Sequence, residues 1–314
     1  MTVAFVFPGQ GSQAVGMGKA LADNFPVARA VFAEVDDALS SKLSTIIFEG
    51  PIETLTLTEN AQPALMAVSL AAFRVLQSEA GLDLARDAQF VAGHSLGEYS
   101  ALAAGTFSIA DTARLLRTRG QAMQKAVPVG AGAMAAIIGL EFEAVAAVAT
   151  EAAQGQVCQA ANDNGGGQVV VSGDKAAVER AVEIAKAKGA KRAMLLTVSA
   201  PFHCALMQPA ADVMAQALAK VQVNKPAVPV VSNVTASPLN EPADIVKSLV
   251  AQVTGTVRWR ECVSYMASQG VTQFYEIGAG KVLAGLNRRI AEGAATTAIG
   301  TPDDVPAFIA GRTK

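Results

Sequence analysis

The chain alternates short, wholly apolar runs with longer stretches whose apolar positions recur every three or four residues. The first pattern predicts buried strands, the second amphipathic helices, and their alternation predicts an α/β architecture with a largely parallel sheet. "TVAFVF" (2–7) and "AQFVAG" (88–93) read as buried strands. "NAQPALMAVSLAAFRVLQSEAG" (60–81) reads as a helix entered near Pro63 and stopped by Gly81. In "DTARLLRTRGQAMQKA" (111–126) an apolar stripe runs through Leu115, Leu116, Ala122 and Met123, with Arg114, Arg117 and Gln121 on the opposite face.

The middle of the chain changes character. "AMAAIIGL" (133–140), "QVCQAAN" (156–162), "QVVVSG" (168–173) and "KRAMLLTV" (191–198) read as strands. Helices fill the intervals at 141–153 and 174–189, the second capped by Asp174, and "NDNGGGQ" (162–168) is a tight loop. This β-α-β-β-α-β order predicts a ferredoxin-like unit. Parallel α/β signals resume after it, in "VPVVSNV", a helix from about Asp244, "VTQFYEI" and the helix after "GAGK". The unit therefore reads as an insertion, dividing the chain into a large subdomain (1–126 and 199–314) and a small one (127–198). The cleft between two such bodies is a common place for a site.

Composition narrows the function. With 314 residues, 51% of them hydrophobic, the chain can bury a large core. A formal net charge of −2 argues against nucleic acid as the partner, since phosphate binding needs a basic surface. Three cysteines, Cys158, Cys204 and Cys262, are far apart and odd in number, which fits neither a disulfide framework nor a CxxC metal site and suits a reducing compartment. "VAFVF" is of strand rather than signal length, and no apolar run reaches the ~18 residues of a membrane span. The expectation is a cytoplasmic protein with no membrane partner.

Two glycine clusters carry candidate chemistry. "VAGHSLGEYSAL" contains Gly93-His94-Ser95-Leu96-Gly97, a G-x-S-x-G between a strand and a helix. That is the pattern of a nucleophile elbow, which leaves a serine hydroxyl exposed at a helix N-terminus; the plainer reading is a serine N-cap on a glycine turn. A serine needs a base, and the chain has two histidines. His94 adjoins Ser95, where neighbouring side chains diverge. His203, in a proline loop between a strand and a helix, is the candidate partner.

The other cluster, Gly9 to Ala14, fits the dinucleotide fingerprint, but the segment after it reads as helix and places Asp36 and Asp37 on a helix rather than at a strand end. A glycine loop after the first strand suits another role, presenting backbone N–H groups to an oxyanion. One further residue is out of place: Arg119 lies three and four residues from Leu116 and Leu115 and so points inward with the apolar stripe. An internal acid could satisfy it, but beside a nucleophile a carboxylate-bearing substrate is the better reading.

"FPGQGSQ", "GHSLGEYSAL", the run from Arg119 to Ile137, "APFHCALM" and "EIGAGKVLAGL" occur in the order found in malonyl-CoA:acyl carrier protein transacylases, and the chain resembles that family from about Val3 to Ile290. The resemblance implies an α/β-hydrolase-like large subdomain with a ferredoxin-like insertion, and transfer of malonyl from malonyl-CoA to the phosphopantetheine thiol of acyl carrier protein; no cofactor and a monomer are the further expectations. It implies that Ser95 is the acylated nucleophile, His203 its base and Arg119 the holder of the malonyl carboxylate. Gln10 and Leu96 would supply oxyanion N–H groups, with Gln10 also touching substrate. Gln252 would orient the histidine through its backbone carbonyl and, with Gln62, belong to the substrate site. The sequence departs from the family at "TGT" (254–256), where relatives often have a proline before Val-x-Trp. A basic cluster, Lys186, Lys188, Lys191 and Arg192, is a candidate docking patch for an acidic carrier protein. A serine esterase or thioesterase would share the elbow but has no use for Arg119, and a carrier-docking module would need neither Ser95 nor His203.

Overall fold

The computed structural model describes residues 2–312. Among these residues ten strands form two sheets: β1 (Val3–Phe7), β2 (Phe90–Gly93), β3 (Gly132–Ile138), β4 (Cys158–Asp163), β5 (Gln168–Asp174), β6 (Arg192–Leu195), β7 (Val230–Val231), β8 (Pro238–Leu239), β9 (Gln273–Ile277) and β10 (Ala295–Ile299). The larger sheet has the order β10-β9-β1-β2-β7-β8, parallel except for the short edge strand β8. Its central strand is apolar throughout because both faces are covered. Ala4 and Val6 join one buried cluster, Phe5 and Phe7 the other.

The second sheet is antiparallel, in the order β4-β5-β3-β6. With helices Phe142–Ala153 and Lys175–Ala187 it has the β-α-β-β-α-β order of the ferredoxin-like unit, and it closes its own core around Ile137, Val148, Val171 and Val178. This unit is tied back to the large sheet's side along one seam. Asn162 pairs with Val257 in a parallel bridge, the Thr256 hydroxyl donates to the Ala160 carbonyl at 2.7 Å, and Arg260 meets Asp163 at 2.8 Å. The side chain of Thr256, in the "TGT" stretch, thus forms part of the seam.

Two local expectations are corrected. The helix expected near Pro63 begins at Thr58 and runs to Ala80, with Pro63 inside it. The proline forgoes one backbone bond, and burial of nearly every residue from Thr58 to Phe73 outweighs that loss. Asp174 sits at the N-cap of Lys175–Ala187, but its carboxylate makes no cap; it accepts from the Val157 N–H at 2.7 Å and so fastens the start of β4. β10, "ATTAI", is too polar to read as a strand from sequence, because only one of its faces is well buried.

Candidate active site

β2 delivers the chain to Ser95, and the helix Leu96–Ala103 leaves it. The turn is tight enough to demand glycine on both sides. A Cβ on Gly93 would lie 1.9 Å from the Gly97 carbonyl carbon, and one on Gly97 would lie 2.2 Å from the Phe7 carbonyl oxygen. Ser95 itself has φ 53° and ψ −112°, a strained conformation for a side-chain-bearing residue, of order 1–3 kcal/mol. Its side chain does not cap the helix. The hydroxyl instead meets His203 Nε2 at 2.8 Å.

His203 also has a positive φ, 59°, at the end of the Pro201–Phe202 loop, and is almost fully buried. Its Nδ1 faces the Gln252 backbone carbonyl at 2.9 Å, so Nδ1 carries the proton and Nε2 presents a lone pair to Ser95. Burial, and after it the nearby Arg119 charge, push the imidazole down to about 3. It is therefore a neutral acceptor.

Arg119, on the helix Ile109–Ala126, is 1% exposed and aimed at this pair. Nη2 lies 3.2 Å from Ser95 Oγ and donates to Gln252 Oε1 at 2.8 Å, while Nη1 donates to Gln62 Oε1 at 2.7 Å. The guanidinium also lies over the Tyr99 ring, 5.6 Å from its centre. Its oxygen partners are thus two amide carbonyls and a hydroxyl. They satisfy donors without cancelling the charge, and Nε has no partner. The helix comes this close because Gly120 packs on the backbone of Glu59, where a Cβ would stand 2.5 Å from Cα.

These groups border a cavity of about 390 Å³ between the two sheets' bodies, lined by Gln10, Gln62, Ser95, Leu96, Arg119 and His203 among others. Gln252, expected in the substrate site, does not line it: the side chain is wholly buried behind the cavity wall, where it meets Arg119 while its backbone carbonyl meets His203. Gln10 joins the network through its side chain, accepting from the Thr58 hydroxyl at 2.8 Å, which in turn accepts from Gln62. The glycine loop thus forms one wall, against the elbow. An acyl group placed there would lie beside the Ser95 hydroxyl, the neutral His203 imidazole and the Arg119 guanidinium.

Sequence reasoning missed three members of this network. Glu98 and Asn233 lie beneath Ser95, and Thr58 links Gln10 to Gln62. Glu98 was findable as the one charge in the apolar helix that follows the elbow; nothing in the sequence marks Asn233. Burial lifts the Glu98 carboxyl to about 7 and the Tyr99 phenol to about 12. Two cations of the basic cluster are already paired, Lys186 with Glu183 at 2.8 Å and Lys188 with Glu151 at 2.6 Å, leaving Lys191 and Arg192 exposed at the start of β6. Among the described residues, no group of three or more His, Cys, Asp or Glu could hold a metal ion, and no helix is long and apolar enough to cross a membrane.

The acyl transferase domain model matches residues 4–303. The malonyl CoA-acyl carrier protein transacylase of Escherichia coli K12 is 49% identical over 307 residues, 98% of each chain. The crystal structure of an acyl-carrier-protein S-malonyltransferase from Bartonella henselae superposes with a TM-score of 0.98 at 57% identity, covering all of both chains. A malonyl-transacylase solved in complex with its type II polyketide acyl carrier protein gives 0.95 at 44% identity, covering 99% of this chain and 100% of that one. This chain therefore belongs to the acyl transferase family, on the branch of the malonyl CoA-acyl carrier protein transacylases.

Proposed function

We propose that the protein transfers malonyl from malonyl-CoA to the phosphopantetheine thiol of acyl carrier protein, through a malonyl ester on Ser95, and so supplies fatty-acid elongation. Ser95 Oγ attacks the thioester carbonyl as His203 Nε2 takes its proton. The carbonyl oxygen, now an oxyanion, sits against the backbone N–H groups of Gln10 and Leu96. Collapse expels the CoA sulfur, which leaves with the proton from His203. The carrier's thiol then gives its proton to His203 and attacks the ester, and the same proton returns to Ser95 Oγ. The Gln252 carbonyl holds the imidazole and its transient charge, in place of a triad acid.

The observation that carries the substrate reading is the Arg119 guanidinium 3.2 Å from Ser95 Oγ, whose direct hydrogen-bond acceptors are all neutral. A malonyl carboxylate supplies a counter-charge in direct contact. It also relieves His203, whose basicity the Arg119 charge lowers, so the base strengthens when the right acyl group arrives. A thioesterase reading leaves that charge without a purpose.

The same proposal holds that the reaction needs no cofactor, that the enzyme works as a cytoplasmic monomer, and that the small subdomain spans 127–198. It assigns carrier docking to the exposed Lys191 and Arg192. The test is mass spectrometry after mixing with malonyl-CoA alone, then with carrier protein added. One malonyl group is expected on the peptide holding Ser95, discharged by the carrier, and no adduct in Ser95→Ala. An adduct on Cys204, or transfer by Ser95→Ala, would refute the mechanism.

A further inference from the structure

Ser95 is held in its strained conformation by two side chains. Its N–H donates to Asn233 Oδ1 at 2.7 Å, and its carbonyl accepts from Gln252 Nε2 at 3.0 Å. Both of those residues converge on one carboxylate. Glu98 Oε2 accepts from the Asn233 backbone N–H at 3.1 Å and from Gln252 Nε2 at 2.9 Å. Glu98 is 1% exposed, and its second oxygen, Oε1, has no partner.

An amide has two distinguishable ends, and which one faces Arg119 matters. With Nε2 drawn to Glu98 and the Ser95 carbonyl, Gln252 must turn Oε1 to Arg119, where it accepts at 2.8 Å. Reversed, the amide would point N–H groups at a guanidinium. The same residue's backbone carbonyl orients His203.

From this geometry we propose that Glu98 is a positioning residue: through Gln252 and Asn233 it fixes the Ser95 backbone and the orientation of Arg119. This rests on the acyl-transfer reading above. The working feature is the reach of an acceptor oxygen rather than its charge. With the carboxyl lifted to about 7 by burial, a proton on the free Oε1 leaves both contacts to Oε2 in place.

Two conservative variants separate reach from charge. Glu98→Gln keeps an acceptor oxygen at the same reach and loses the charge. Glu98→Asp keeps the charge and withdraws the oxygens by one carbon–carbon bond, about 1.5 Å. The measurement is the single-turnover rate of Ser95 malonylation by malonyl-CoA, with the melting temperature of each variant alongside. Positioning predicts that Glu98→Gln outperforms Glu98→Asp by at least tenfold, since a misplacement of about 1 Å costs on the order of 10²-fold. It also predicts that the Asp variant's loss falls mainly in rate rather than in KM, at a melting temperature close to that of Glu98→Gln. The opposite order, with Asp the faster, would assign Glu98 a counter-charge role and overturn the proposal. Equal rates, or losses that simply track melting temperature, would overturn it too. Failure of the acyl-transfer reading is distinct, because wild type would then form no malonyl-Ser95.

Discussion

Arg119 carries a charge that its immediate hydrogen-bond partners leave standing. Gln62, Gln252 and Ser95 accept from it as neutral groups, and the acid behind it, Glu98, is reached only through Gln252. A bidentate carboxylate is the ligand that such a site favours, whereas an acetyl group offers it nothing. Arg119→Ala should therefore lower malonylation of Ser95 by at least 10²-fold while acetylation from acetyl-CoA holds or rises, so that the malonyl preference collapses. Parallel single-turnover rates with the two thioesters measure this. A folded Arg119→Ala with wild-type preference would leave the arginine a structural role. At this scale the sequence was informative, because an arginine inside an apolar helical stripe is conspicuous. That its partners are amides was not legible, since Gln62 and Gln252 lie 57 and 133 residues away.

The elements matter through two helices packed at a glycine. Ile109–Ala126 carries Arg119, Thr58–Ala80 carries Gln62, and Gly120 lets their backbones touch. Gly120→Ala places a methyl 2.5 Å from Glu59 Cα and 2.7 Å from the Thr58 carbonyl, contacts with backbone that cannot swing aside. The helices must part, at a cost of about 1–3 kcal/mol. Denaturant unfolding should register that loss. Malonyl-over-acetyl selectivity should fall with it, because Arg119 moves away from Gln62, whereas an unchanged selectivity would show that the crossing does not set the arginine. Helix type was readable here from periodicity. The start at Thr58 was not, because the burial that carries the helix across Pro63 is supplied by neighbours distant in sequence.

For the molecule as a whole, the site trades stability against readiness. His203 is held neutral by burial and by the charge of Arg119, with its imidazole at about 3 against about 6.5 in the unfolded chain. Between those values the unfolded state binds a proton that the folded state does not. This residue's contribution is therefore intact above about 6.5 and is lost as the pH falls toward 3. From pH 7 to pH 5 the loss amounts to about 2 kcal/mol. Glu98 acts in the opposite sense, since its raised value favours the folded state as the pH falls through about 7, and it is common to both proteins in a comparison. His203→Gln should accordingly lose about 2 kcal/mol less stability than wild type over that interval in urea unfolding at the two pH values. Equal losses would place the imidazole in a more polar setting than its burial implies.

Local pattern determined the alternation of strands and helices, the β-α-β-β-α-β order of the insertion, and the glycine-flanked serine, because each depends on residues adjacent or one helical turn apart. It also singled out His203 and Arg119, since a chain with two histidines and one inward arginine offers few alternatives. Only the tertiary structure decided which groups hold them. The network joining Gln10, Thr58, Gln62, Arg119, Gln252, Glu98 and Asn233 draws on segments spread over more than two hundred residues. Hydrogen bonds are short and directional, so their partners are fixed by where the packed elements bring side chains together, and no periodicity along the chain encodes that meeting.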